Sequence, residues 1–401
     1  MKILYVFGGI PLYANAMLNR LVEKNAEIVA VIPARRSKVL GKGVKVIDER
    51  QAAYKIINSR ERKTLFGKNY FPDLSEIIQR EQPDIFVAGW PYFLQFFKYC
   101  SLRKALNKNG VRFVIREIPF QVPPYGKIRA YFREHPMYNE DMKLLSKGLT
   151  FFIRQWATMQ IRRYCYARAD GALAYSSLGK TIMPTYGISE ERVFVTYNTG
   201  DSEALLQEKQ LLRQEPPILP ENSRRIIHIG RLVKWKRVDL LMEAFANVLK
   251  EFPDAELVVV GDGPEREPLG RQAMALGITE RVLFTGGVYA PKTVGAYMSA
   301  SSIYVLAGMG GLSINDAMAY GLPVICSVCD GTECDLVTHH GNGLIFRENN
   351  VADLSEKIAL LLRDPALSKR MGEASLRVIE ERINLESVSD RYLDAFRKIV
   401  S

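Results

Sequence analysis

The chain has 401 residues, enough for two domains of ordinary size, and its hydrophobic content of 47% with 25% charged residues is typical of a soluble globular protein. It has no run of 18 or more apolar residues, so no transmembrane helix is predicted, and five cysteines without a secretory signal indicate reduced thiols in the cytoplasm. The net charge of +11 is uneven, with roughly +16 on residues 1–200 and roughly −5 on residues 201–401, and a basic half predicts an acidic partner.

The first residues alternate strand and helix. Residues 2–7 predict a buried strand, Gly8 and Gly9 a turn, residues 12–24 a helix and residues 26–32 the next strand. This opening is Rossmann-like but lacks the G-x-G-x-x-G of dinucleotide sites. The two glycines either let the backbone approach a ligand or form a plain turn.

Two further strands are predicted at residues 83–88 and 112–118. The second ends in Arg116 and Glu117, at the carboxyl end of a strand, where open α/β sheets bind ligands. These two residues are therefore candidates for binding an acceptor. The alternative is a structural ion pair.

Residues 119–168 mix basic and aromatic side chains. A helix here would place on one side the apolar residues Leu149, Phe152, Ile153, Trp156 and Met159. Such a segment suits an anionic membrane surface, and the alternative is a core-packed helix with a solvated basic face. No nucleic-acid-binding motif occurs, so no nucleic-acid partner is expected.

Residues 202–223 contain P-P-I-L-P-E-N and predict a linker. A second α/β domain begins at Arg224 with a strand that ends at Gly230. Arg231 and Lys236 follow that strand and precede a helix. Two fixed cations after a strand can bind two phosphates, since arginine binds bidentately and lysine supplies a point charge. On their own, such charges are more often solvated surface.

The sequence around Val305–Glu333 predicts a strand at 302–306, a glycine-rich turn at 308–311, a helix at about 312–320 and a second strand from Pro323. The turn contains Gly308, Gly310 and Gly311, and the helix begins at about Leu312. A glycine turn at a helix start exposes backbone N–H groups at the positive end of the helix dipole, which suits a phosphate or diphosphate. The alternative is a tight turn of the kind found in any α/β protein.

Two motifs carry a resemblance to a known family. They are G-L-S-I-N-D-A-M-A-Y-G-L-P-V-I around the glycine turn, and G-R-L, three further residues and then lysine, from Gly230 to Lys236. Both resemble the nucleotide-sugar signature of retaining GT-B glycosyltransferases, close to glycosyltransferase family four (glycosyl transferases group 1). The resemblance implies an α/β fold with two Rossmann-like domains facing a cleft. It implies an acceptor domain at 1–201, the linker at 202–223, a donor domain at 224–384, and a last helix at 385–401 that crosses back to the first domain.

The resemblance also implies roles for residues. Arg231 and Lys236 would hold the donor diphosphate and stabilise charge on the leaving group, without a metal or cofactor. The family's second acid, which holds the ribose, is Asp316 here. The spacing of Cys326, Cys329 and Cys334 matches no standard zinc arrangement. The predicted donor-binding residues are Gly8, Gly9, Gly230, Val288, Met309, Gly310, Gly311, Leu312 and Asp316.

The implied activity is transfer of a sugar, with retention, from a nucleoside-diphosphate sugar to a hydroxyl of a lipid-linked glycan acceptor. The expected setting is bacterial surface polysaccharide biosynthesis, of lipopolysaccharide or capsule, at the inner face of the plasma membrane. Gly308 stands where the family has its first acid, which touches the donor sugar. Either the backbone N–H groups of Met309 and Gly310 hold the sugar instead, or the chain is a nucleotide-sugar-binding scaffold subunit without turnover.

Overall fold

The computed structural model describes residues 1–35, 46–64 and 67–401 of the chain, which form two compact units. The first unit comprises Met1–Met137, Leu145–Gly200 and Leu385–Ser401, and the second comprises Tyr138–Leu144 and Asp201–Asn384. Each unit is built on one parallel sheet with helices between successive strands. The predicted α/β class with two Rossmann-like domains is therefore confirmed.

The sheet of the first unit consists of parallel strands, of which the described residues supply seven. They are β1 (Lys2–Val6), β2 (Glu27–Pro33), β3 (Lys55–Ser59), β6 (Ile85–Gly89), β7 (Arg112–Glu117), β8 (Gly171–Ala174) and β9 (Val193–Val195), with a separate hairpin of β4 (Arg62–Lys63) and β5 (Asn69–Tyr70). Their order is β3-β2-β1-β6-β7-β8-β9. Residue Ile3 of β1 stands opposite Ile28 of β2 and Ile85 of β6, and such apolar runs are typical of strands covered on both faces.

The helices of the first unit, apart from the last helix of the chain, follow its strands. They are α1 (Leu12–Glu23), α2 (Leu74–Glu81), α3 (Gln95–Lys98), α4 (Cys100–Lys108), α5 (Ile128–Glu134), α6 (Leu149–Tyr166) and α7 (Leu178–Ile182). The predicted apolar side of α6 is divided in the structure. Met159 is buried in the core, whereas Leu149, Ile153 and Trp156 are 68%, 55% and 57% exposed.

The second unit has six parallel strands among its described residues. They are β10 (Arg225–Ile229), β11 (Glu256–Val260), β12 (Val282–Gly286), β13 (Ile303–Leu306), β14 (Val324–Cys326) and β15 (Gly343–Ile345), in the order β12-β11-β10-β13-β14-β15. The helices are α8 (Ser202–Leu212), α9 (Val238–Val248), α10 (Arg266–Ala275), α11 (Pro291–Ser299), α12 (Leu312–Ala319), α13 (Glu333–Leu336), α14 (Val351–Arg363) and α15 (Pro365–Glu381).

In the segment predicted as a linker, residues 202–223, the first half is a helix and not a linker. It contains helix α8, whose start is capped by the side chain of Asp201, which accepts a hydrogen bond from Ala204 N at 3.0 Å. Lys209 of α8 donates to the carbonyl oxygen of Ala319 at the end of α12, at 3.2 Å. This half is therefore a packed helix of the second unit, and only the proline-rich half lacks regular structure.

The last helix, α16 (Leu385–Val400), belongs to the first unit and packs against α1. Its apolar face is buried, and its acidic side pairs with α1, where Lys24 lies 2.7 Å from Glu386 and 2.5 Å from Asp390. Within the described ranges, no helix is long and apolar enough to span a membrane.

Candidate functional site

The candidate site of the second unit lies where its strand order reverses, between β10 and β13. The chain leaves β10 at Gly230 and leaves β13 toward the glycine turn, so two loops far apart in sequence meet at one sheet edge. Open α/β sheets bind ligands at this switch point, outside the carboxyl ends of the strands. The predicted donor residues of these two loops are therefore neighbours.

Lys236 joins the two loops. A side-chain carbon built at Gly310 would lie 2.7 Å from the Lys236 Nζ, and one at Gly230 would lie 3.8 Å from it. The backbone makes the same connection, since Met309 N donates to the carbonyl oxygen of Trp235 at 2.8 Å. The ammonium group therefore lies directly over the glycine turn that precedes α12.

The charge of Lys236 is incompletely compensated. Burial lowers the pKa of Lys236, while Cys329 and Asp330 act to raise it. No acidic side chain among the described residues forms an ion pair with this ammonium group. A half-buried cation at the positive end of a helix is a site for an anion.

Asp330 is a neighbour that the sequence did not predict. A side-chain carbon at Gly311 would lie 2.2 Å from its Oδ2, which places the carboxylate at the start of α12. Its Oδ1 accepts hydrogen bonds from Thr332 N at 3.1 Å and from Thr332 Oγ1 at 2.5 Å. Burial raises the pKa of Asp330, and the Thr332 hydrogen bonds and Lys236 lower it. The site thus contains a carboxyl group that, when ionised, repels any bound anion.

Glu140 is a second unpredicted neighbour. The Arg231 guanidinium donates to Glu140 Oε2 at 3.3 Å, and Trp235 N donates to the Glu140 carbonyl oxygen at 3.3 Å. Glu140 lies in a short hairpin closed by a bridge between Tyr138 and Leu144. The predicted phosphate ligand Arg231 therefore has a carboxylate partner, which a diphosphate would have to displace.

His228, on β10, lies beside the same loops, although the four histidines show no catalytic pattern in the sequence. Its Nδ1 lies 3.0 Å from the carbonyl oxygen of Val305, so this nitrogen must carry the hydrogen. Burial lowers the pKa of His228 to about 4, which leaves Nε2 as a neutral acceptor. That nitrogen has no hydrogen-bond partner within the described chain, and a side-chain carbon at Gly230 would lie 3.7 Å from it.

The amide of Met309 is not available for the role expected of it. Its N–H group is used by the Trp235 carbonyl oxygen, so of the two amides predicted to hold a sugar, only that of Gly310 can do so. Leu312 begins α12, and in its first turn the Ile314 amide already donates to the Gly311 carbonyl oxygen at 2.9 Å, which leaves the amides of Leu312 and Ser313 at the helix start without an acceptor within the helix. Val288 lies just after β12, an edge strand of this sheet, which β11 and β10 separate from the strand β13 that leads into the glycine turn.

Asp316 lies in the second turn of α12, where burial raises its pKa to about 7. An unfolded aspartate titrates near about 3.9. Between about pH 4 and pH 7 the folded chain therefore keeps a proton that the unfolded chain has lost, and the free energy of unfolding falls as the pH rises.

Asp316→Asn should abolish this pH dependence. We expect the free energy of unfolding of Asp316→Asn, minus that of the natural chain, to be larger at pH 8 than at pH 4.5. The difference should grow by about 1.4 kcal/mol for each pH unit over which the natural chain keeps the extra proton. Urea unfolding of both chains at the two pH values measures the difference, in which all other titrating groups cancel. An equal pH dependence in both chains would contradict the raised pKa.

The remaining predicted residues belong to the first unit. Gly8 and Gly9 follow β1, and Arg116 and Glu117 end β7; all four line a cavity of about 1190 Å³. Arg116 and Glu117 do not pair with each other. Glu117 is bound to Arg162 and accepts a hydrogen bond from Tyr166 Oη at 2.7 Å, so it forms a structural ion pair within the unit. The acceptor-binding role of Arg116 stays a prediction.

The second unit is similar in sequence to known glycosyltransferases. Residues 210–378 match the family described as glycosyl transferases group 1. An uncharacterized glycosyltransferase of Haemophilus influenzae is 31% identical over 186 residues, which cover 44% of this chain and 51% of that protein. The lipopolysaccharide core biosynthesis glycosyltransferase LpsD of Rhizobium meliloti is 29% identical over 199 residues, which cover 47% of this chain and 55% of that protein. The chain thus spans about half the length of the curated relatives it matches.

The structural similarity covers more of the chain than the sequence match does. The crystal structure of Anabaena Alr3699/HepE in complex with UDP superimposes with a TM-score of 0.71 at 18% identity, covering 99% of this chain and 100% of that chain. The fold of the chain is therefore GT-B. The match to the glycosyl transferases group 1 family covers residues 210–378, and the likeness of fold covers nearly the whole chain.

Proposed function

We propose that the protein is a retaining, metal-independent glycosyltransferase that uses a nucleoside-diphosphate sugar. The observation that carries the proposal is the Lys236 ammonium group, which lies over Gly310 at the start of α12 without an acidic partner among the described residues. A diphosphate supplies the missing negative charge. The group 1 match over residues 210–378 supports a nucleotide-sugar donor for the same unit.

The proposed step breaks the bond between the anomeric carbon and the donor phosphate oxygen. The bonding electrons pass to the leaving diphosphate, and the acceptor hydroxyl oxygen bonds to the anomeric carbon on the same face. Its proton passes to the departing phosphate oxygen. Lys236 and the amides at the start of α12 stabilise the charge that develops on the diphosphate. Arg231 joins them when the diphosphate displaces Glu140, and Asp316 binds the ribose.

For the acceptor, we propose a lipid-linked glycan in bacterial surface polysaccharide biosynthesis. The name of the Rhizobium meliloti relative supports this class. Helix α6 supports contact with an anionic membrane, because it exposes Leu149, Ile153 and Trp156 beside basic residues such as Arg154. Cosedimentation with vesicles containing anionic lipid at low salt tests the membrane contact, and a chain that stays in the supernatant would remove this part of the proposal.

The second candidate is a nucleotide-sugar-binding scaffold subunit without turnover. Gly308 favours it, since this residue removes the acid that the resembled family places against the donor sugar. Against it, a scaffold has no need for the cation Lys236 at the leaving group. The two candidates differ in turnover and agree in nucleotide binding.

Thermal unfolding with UDP, GDP, ADP or CMP tests the donor site. A ligand at about 100 times its dissociation constant should stabilise the chain by about 2.7 kcal/mol. We expect stabilisation by one nucleoside diphosphate, reduced in Lys236→Ala and Asp316→Ala. The matched control is Lys234→Ala, which removes an exposed cation two residues from Lys236 and should keep the full shift. No shift with any nucleotide would overturn the proposed function.

A further inference from the structure

The cavity of the first unit contains a cation, Arg116, that forms no ion pair with a carboxylate among the described residues. We propose that Arg116 and the hydroxyl of Tyr5 form a binding site for a phosphate or diphosphate group inside this cavity, and that this group belongs to the acceptor. The location of the site follows from the first unit alone. Only the identification of its occupant as the acceptor rests on the proposed function.

Arg116 is enclosed by aromatic rings. Its guanidinium carbon lies 4.6 Å from the ring centre of Tyr175, 5.7 Å from that of Phe7 and 5.9 Å from that of Tyr392. Its Nε donates to Tyr392 Oη at 3.0 Å. No carboxylate pairs with it in the described part of the unit, and its two terminal nitrogens make no hydrogen bond there. A planar guanidinium with both terminal nitrogens available is suited to bidentate binding of an oxyanion.

Tyr5 supplies an independent observation. Its side chain lines the same cavity and is 1% exposed, and its hydroxyl has no hydrogen-bond partner among the described residues. Burial raises the pKa of Tyr5 well above its ordinary value, so the hydroxyl keeps its proton and can donate. A buried hydroxyl without a partner is unfavourable, and an anion bound by Arg116 would satisfy it.

The charge of the cavity lining favours a phosphate over a neutral sugar. Five basic residues line it against one acid, Glu117, which is already bound to Arg162 and Tyr166. The other basic residues are Lys68, Lys98 and Arg154. Burial lowers the pKa of Lys68, and the positive charges of Arg162 and Arg154 lower it further, so these cations repel one another although Arg162 is paired with Glu117. A diphosphate would relieve this repulsion.

The cavity also has an apolar side. Phe97 and Ile153, which are 43% and 55% exposed, belong to its lining, and its volume of about 1190 Å³ exceeds what a single phosphate fills. The bound phosphate group could therefore belong either to a soluble sugar phosphate or to a phosphorylated prenyl lipid. Both sources share the diphosphate or phosphate ester that Arg116 and Tyr5 would bind.

The experiment is calorimetric titration of the full chain with inorganic pyrophosphate, in the Lys236→Ala background to remove the predicted donor phosphate site. We expect binding that weakens about 10- to 100-fold in Arg116→Gln and about threefold to tenfold in Tyr5→Phe. Tyr5→Phe loses no hydrogen bond, so its fold should be intact even if Arg116→Gln unfolds. Equal affinity in Tyr5→Phe and its parent, or no binding in the Lys236→Ala background, would overturn the proposal.

A second titration distinguishes the sources. A short-chain prenyl monophosphate that binds much more tightly than glucose 1-phosphate, with the advantage reduced in Ile153→Asn, identifies a lipid-borne phosphate. Equal binding of the two ligands identifies a soluble phosphate. Either result leaves the site in place. The proposed function is tested separately by nucleotide-induced thermal stabilisation and its loss in Lys236→Ala. The phosphate site is tested by pyrophosphate binding and its loss in Arg116→Gln, so either proposal can fail without the other.

Discussion

Replacing Lys236 with alanine is expected to lower kcat by about 10²- to 10³-fold at saturating donor. The ammonium group lies over Gly310, at the start of α12, where the leaving diphosphate gains charge in the transition state. A fixed cation in a half-buried site stabilises the negative charge that develops in the transition state more strongly than a cation in water, because little solvent screens the interaction. The effect should therefore fall mainly on kcat, and less on the KM for the donor.

The measurement is release of nucleoside diphosphate in the presence of acceptor, with Lys234→Ala as the matched control. Lys234 is exposed and belongs to the same short 3₁₀ helix, so its loss should change kcat less than about twofold. Lys236→Ala should lower the melting temperature little, since it removes a cation that forms no ion pair in the described chain and loses only the attraction of Asp330. A kcat equal to that of the natural chain would contradict the role of Lys236. A natural chain that binds nucleotide and never turns over would support the scaffold candidate.

Gly308→Ala is expected to destabilise the second unit by about 1–3 kcal/mol and to abolish the nucleotide shift. A carbon at this position would lie 2.2 Å from the Trp235 carbonyl oxygen and 2.9 Å from the Lys236 carbonyl carbon. Both atoms are backbone and cannot move aside as a flexible side chain would. The loop that carries Lys236 must shift, and the ammonium group would leave its place over the glycine turn.

Gly308→Glu restores the acid of the resembled family and is expected to lower activity for the same reason. Urea unfolding and nucleotide titration of both variants measure the two effects. The matched control is Gly270→Ala in α10, where the carbon would meet only the mobile end of Arg266 at 3.2 Å and alanine is the better helix former. Activity gained in Gly308→Glu would show that the loop of Trp235 has room to move.

The local elements of the site could be predicted from sequence. The strand, turn and helix expected at 302–306, 308–311 and 312–320 are found as Ile303–Leu306, a glycine turn and Leu312–Ala319. Apolar runs and glycine or proline punctuation act over a few residues, so they are visible without a fold. The sequence pattern does not predict helix α8, because the prolines after Leu212 favour a linker, although the Asp201 cap at its start is a local helix signal.

The partners of the charged residues were decided by tertiary structure. The sequence by itself predicted two Rossmann-like sheets and, through two motifs, the cations Arg231 and Lys236. It could not predict that Glu140 lies against Arg231, nor that three aromatic rings rather than a carboxylate surround Arg116. Strand order and hairpin placement bring together residues tens to hundreds of positions apart, and no local pattern records which neighbours result. The charge balance of each site therefore appears only when the chain is folded.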